Sequence, residues 1–216
     1  MARLLRDQGY TATGLAQVLT ESGVSNGSLY HHFPGGKEDL AEAALEASGQ
    51  AVASALAEAL GSAPNTGAGV ARFLDLAAQL LSADPCAGCP VAPTALESPI
   101  IGARLQDAAA RCFAQWEGLL ARRLGDDGWP EDEARGAASV ALTLIEGSLL
   151  QARVTGRVDH LVHAKSVALT MFAAPPRTPP RRKRHLSPKS PTSRACDPET
   201  ARSEIKSWSR LSESNR

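Results

Sequence analysis

The stretch from Thr13 to Lys37, TGLAQVLTESGVSNGSLYHHFPGGK, constrains this chain more than any other part of it. Leu15, Val18 and Leu19 recur at helical intervals after Thr13, which is placed to cap the first short helix. Gly23 ends that helix, because glycine enters the left-handed conformation past a helix C-terminus without a Cβ clash. Val24 is then expected to turn into the core, and Ser25 to cap a second helix whose Leu29 and Phe33 share one face. The other face shows Asn26, Ser28, Tyr30, His31 and His32, and Gly27 allows close approach of backbone to a phosphate or a base edge. Two helices about a tight turn, the second polar outward, are the arrangement that enters a DNA major groove.

Beyond Lys37 the pattern stays helical. Alanine and leucine dominate and β-branched runs are absent, so the fold class expected is all-α. Helices are predicted over 38–60, 68–82, 94–98, 99–124, 131–155 and 159–173, with Pro99 at the first turn of the fourth. No apolar run reaches the ~18 residues of a membrane span, and no signal peptide opens the chain, which reads as cytoplasmic with no membrane partner. Residues 1–176 hold 12 Lys/Arg against 19 Asp/Glu, while residues 177–216 hold 11 against 4. An acidic body is compatible with DNA binding if a local basic patch meets the phosphates, and Arg3, Arg6, Lys37 and the two histidines are that patch. The Pro/Ser/Arg-rich end lacks an apolar period and reads as a basic disordered tail.

Other motifs carry less. Gly23-Val24-Ser25-Asn26-Gly27 satisfies the G-x-S-x-G pattern of an α/β-hydrolase elbow, but that elbow needs a buried strand before its serine, and QVLTES is helix-spaced. Cys86 and Cys89 form one C-x-x-C pair with no second pair or histidines nearby, so no metal site is expected; packing or pocket lining fits better, a thiol switch remaining open. No catalytic residue and no cofactor emerge.

The motifs Gly9-Tyr10, Ala12-Thr13, Gly23-Val24-Ser25, Leu29-Tyr30, His32-Phe33 and Lys37-Glu38-Asp39-Leu40 resemble the TetR family of bacterial transcription regulators. Ala12-Thr13-Gly14-Leu15, the run His31 to Glu38, Gly88-Cys89-Pro90-Val91-Ala92 and Ala95-Leu96-Glu97 look like its LmrA/YxaF branch. The resemblance implies a helix-turn-helix head over 1–45 and a helical ligand-binding and dimerisation domain over 46–174; the basic tail over 175–216 is read from composition and lies outside it. It implies a ligand-responsive repressor that binds a palindromic double-stranded operator as a homodimer and is released by a small-molecule inducer. Only eight residues precede Gly9, so the first helix reads as truncated, and a small-molecule binder with impaired DNA affinity is the alternative, with a hydrolase on Ser25 a further one.

Thr13, Ser25, Asn26, Gly27, Ser28, Tyr30, His31 and Lys37 are the expected DNA contacts. Cys89, Phe113, Trp116 and Glu146 are the expected ligand contacts, Glu146 standing in an apolar run where it needs a partner or an edge. Ala137, Ala138, Ala141, Leu142, Ile145 and Leu149 offer the small apolar face that the family's dimer interface would use.

Overall fold

The computed structural model describes residues 1–175, and the expected basic tail lies almost wholly outside them. The described residues are helical, with α1 at Ala2–Ala12, α2 at Leu15–Ser22, α3 at Asn26–His32, α4 at Lys37–Gly61, α5 at Thr66–Ala83, α6 at Ala92–Ile101, α7 at Ala103–Asp126, α8 at Glu131–Thr155 and α9 at Asp159–Met171. The small helices α1 to α3 form the head. The long α4 leads from it into a body in which α7 packs on α4 and α8, α5 packs on α9, and α6 lies against α1.

The body's core runs along the facing stripes of these helices. Leu45, Leu56, Val70, Leu74, Leu105, Leu120, Leu124, Ile145 and Leu161 are all buried in it. Removing this much aliphatic surface from water, at about 1.5–3 kcal/mol per side chain, is the main force holding the body together. Trp116 is 1% exposed where α4 and α7 cross; its Nε1 donates to the Gly49 carbonyl at 2.9 Å and its ring stands edge-on to Phe113. One polar staple closes the far end. Asp127 Oδ2 accepts from the Thr66 amide and hydroxyl, each at 2.6 Å, while Oδ1 accepts from Arg123 Nε at 3.1 Å. Arg123 also donates to the Leu60 and Ala63 carbonyls, so the α4–α5 turn is tied to the end of α7.

Four expectations are corrected. Thr13 does not cap α2: it is fully buried, its hydroxyl donates back to the Gly9 carbonyl at 2.6 Å, and Gly14 holds the cap position. Val24 is 44% exposed at the corner between α2 and α3, where Val18 and Leu29 already fill the interior. The break in the middle of the chain falls at Gly102, with φ 101°, and not at Pro99, which lies within α6. Ala138, Ala141, Ile145 and Leu149 face the core of their own chain and are at most 9% exposed, so they cannot be an outer dimer face.

The outward stripe of α8 is a different one. Val140, Leu150 and Val154 are exposed there, with Thr143 and Gly147 between them, and Val162 and Leu169 continue an exposed apolar face on α9.

Candidate DNA-reading head and ligand cavity

The reader is built around the Ser25 cap. Ser25 Oγ accepts from the Ser28 amide at 3.2 Å, satisfying one of the free donors that open α3. Asn26, Gly27, Ser28, Tyr30 and His31 are all exposed, so the first two turns of α3 present amide, hydroxyl, phenol and imidazole groups together. Beneath them Leu29 is buried and Phe33 partly so, holding the helix to the head. The Tyr30 ring lies across Gly36 in the turn before α4, directing the phenol along that turn. Ser25 follows helix α2 and a turn, not a strand, which removes the geometry that a hydrolase elbow requires.

The basic patch differs from the one expected. Lys37 is half-buried with its Nζ 4.0 Å above the Tyr10 ring, and burial lowers its pKa, partly offset by Glu97. Arg3 pairs with Glu21 and Asp7 but remains 63% exposed, so a phosphate could replace those partners at little cost. Arg6 points the other way. Its guanidinium bonds Asp7 and Asp84 at 2.8 Å each, against the body.

Two further contacts fix the head to the body. Arg153 of α8 donates to the carbonyls of Arg6 at 2.9 Å and Asp7 at 3.1 Å. These carbonyls lie just before a kink in α1 at Gly9, where φ is 78°. Glu97 of α6 enters on the other side of the kink and accepts from the Thr11 amide and hydroxyl at 2.7 Å each. A Cβ at Gly9 would collide with that carboxylate and would be strained at positive φ as well.

The body holds two adjoining hollows. The first, about 460 Å³, is lined from α4 by Val52 and Ala55 and from α5 by Phe73, Leu76 and Leu80; Arg6 and Asp84 also line it. The second, about 490 Å³, runs between α6 and α8 along Leu96, Phe113, Leu142, Leu150 and Arg153. Gly88, Cys89, Glu146 and Leu149 line both, forming a waist. Burial pushes the Glu146 carboxyl up from its ordinary range, and a hydrogen bond with the Cys89 thiol offsets only part of this. Burial, and then Glu146, push the Cys89 thiol well above its ordinary value, opposite to what a reactive thiolate needs.

Of the expected ligand residues, Cys89, Phe113 and Glu146 thus meet around these hollows, whereas Trp116 lines neither and is a core residue with a satisfied N–H. Sequence reasoning gave Arg6 to the phosphates, when it bonds the Asp7 and Asp84 carboxylates, and missed Glu97 and Arg153. A charged residue on an amphipathic helix reads as solvated, and nothing local shows that its partner is a backbone carbonyl or amide 86 to 147 positions away.

Residues 2–44 match the family model described as "Bacterial regulatory proteins, tetR family", and residues 67–167 match "Transcriptional regulator LmrA/YxaF-like, C-terminal domain". The HTH-type transcriptional regulator LmrA of Bacillus subtilis is 32% identical over 165 residues, covering 76% of this chain and 88% of that protein. An uncharacterized HTH-type transcriptional regulator of Mycobacterium tuberculosis is 35% identical, covering 82% of this chain and 93% of its own length. Among solved structures, a TetR transcriptional regulator from Legionella pneumophila superposes with a TM-score of 0.71 at 21% identity, over 79% of this chain and 92% of that one.

Proposed function

The chain belongs to the TetR family of bacterial transcriptional regulators, in its LmrA/YxaF branch, and from that premise we propose that it is a repressor whose hold on DNA is set by a small molecule. The observation that carries this reading is the polar first half of α3, exposed on a head that is bonded through Arg6, Glu97 and Arg153 to residues beside the body's hollows. Ser25, Asn26, Gly27, Ser28, Tyr30 and His31 would face the operator, with Lys37 and Arg3 at its phosphates. Thr13 acts by holding the α1–α2 corner. Two heads on one homodimer would enter successive major grooves of a near-palindromic operator, ~34–36 Å apart or a multiple of it. A ligand that favours another head spacing would release the operator by population shift. No catalytic role is proposed.

The test is fluorescence anisotropy at fixed salt with duplexes from the chain's own promoter and a scrambled control. Preference for promoter DNA, lowered by Tyr30→Ala with helix content unchanged, is the expected result. No preference for promoter DNA over the control would favour a small-molecule binder with impaired DNA affinity.

A further inference from the structure

We propose that the waist between the two hollows is a receptor for a monocationic amphiphile: an ammonium group placed on Glu146, with an aromatic or aliphatic body in the α4–α5 hollow. This rests on the ligand-responsive reading above and names the class of ligand for that same cavity.

The argument begins with the company Glu146 keeps. It is half-buried on α8 and lines both hollows, among walls that are mostly aliphatic or aromatic. A carboxylate removed from water without a cation is costly, and proteins normally supply an arginine or lysine beside it. Among the described residues two arginines line the hollows, and both are engaged elsewhere. Arg6 is bonded to Asp7 and Asp84, and Arg153 to the Arg6 and Asp7 carbonyls. The Cys89 thiol beside it offsets only part of the burial of Glu146, and a thiol is a weak donor. A cation arriving with a ligand would find an acceptor that the described residues leave uncompensated. Val52, Phe73, Leu76 and Leu80 would cover the apolar remainder of that ligand, and Leu76 and Leu80, 39% and 56% exposed, would lose water on its entry.

Proton linkage gives the proposal a signature. Burial raises the Glu146 carboxyl, so its proton is retained to higher pH in the empty cavity. A bound ammonium ion stabilises the ionised form and expels that proton. Ammonium affinity should therefore climb with pH through the raised pKa and level off above it. The other charged or titratable groups lining the two hollows are Arg6, Asp84, Cys89 and Arg153. The arginines keep their charge, Asp84 is paired with Arg6, and the Cys89 thiol is pushed up, away from this range.

The experiment uses the full chain and matched pairs of arylmethyl ammonium ions and their neutral alcohols: benzyl, 2-naphthylmethyl and 4-biphenylmethyl. Titration calorimetry from roughly pH 5 to 8, where the amines stay protonated, reads affinity and proton release. At the upper end at least one ammonium ion should bind roughly tenfold more tightly than its alcohol, and proton release on binding should accompany the lower pH range where affinity climbs and fade where it levels off. Glu146→Gln should abolish the preference while Glu58→Gln, on the exposed face of α4, retains it. Equal or tighter binding of the alcohols, no saturable binding of any ammonium ion, or a preference that survives Glu146→Gln would each overturn the proposal. The wild-type pH profile needs no variant to fold and overturns it alone if ammonium affinity falls as pH rises. Promoter DNA binding is measured on the same samples without ligand, so failure of the ligand class is distinguished from failure of the regulator reading.

Discussion

Asp127 shows how one carboxylate can close a helical body. Burial acts to raise its pKa, but hydrogen bonds from the Thr66 hydroxyl and amide, with the Arg123 side chain, overcome this and hold it below the ordinary carboxylate range. A depressed folded pKa means that the group contributes stability above its unfolded pKa, and that the contribution fades as pH falls through the folded value. Asp127→Asn should therefore cost about 2 kcal/mol near neutral pH, since it removes charge from a set of bonds that charge strengthens. Urea melts of both proteins check this, and the gap between them should shrink in acid. A gap that does not change with pH would mean that packing, not ionisation, makes the staple.

At the scale of elements, the joint between head and body is the kink in α1. Gly9 turns the chain so that the Glu97 carboxylate of α6 reaches the Thr11 amide, while Arg153 of α8 holds the carbonyls one turn earlier. Two separate helices of the body thus grip a helix that is otherwise too short to stand alone, given that isolated helices need ~12–15 residues for even marginal stability. Glu97→Ala should loosen this grip, costing about 1 kcal/mol of stability and raising amide exchange of residues 10–13 more than that of α7. Unchanged exchange at Thr11 would show that Glu97 is not a latch. The element pattern was largely legible beforehand: caps, glycines and 3.6-residue periodicity are local properties, and α2 to α5 and α8 begin and end close to where they were expected. Pro99 misled because a helix break can be set by either proline or glycine, and here the chain places Gly102 in a positive-φ corner and carries α6 through the proline.

For the whole molecule, the exposed apolar face of α8 and α9 invites a second copy. Val140, Leu150 and Val154 on α8 and Val162 and Leu169 on α9 are 44–76% exposed, a cost in water that a homodimer would remove. Val162→Arg should yield folded monomers and lower operator affinity sharply, because two linked heads gain from effective concentration. Ala141→Arg should instead unfold the chain, since Ala141 is fully buried in the core of its own subunit. Sedimentation and circular dichroism separate the two effects, and a wild type that sediments as a monomer at micromolar concentration would refute the paired-head arrangement. The sequence by itself determined the all-α class, the two-helix reader with its Ser25 cap, and the family, because these are written in spacing between near neighbours. Tertiary structure alone decided which side of α8 faces inward, that Trp116 is core, and that Arg6 and Arg153 grip the joint and leave Glu146 without a cation among the described residues. Each of those depends on which distant helix lies opposite, and an amphipathic stripe says that a face will be covered without saying by what.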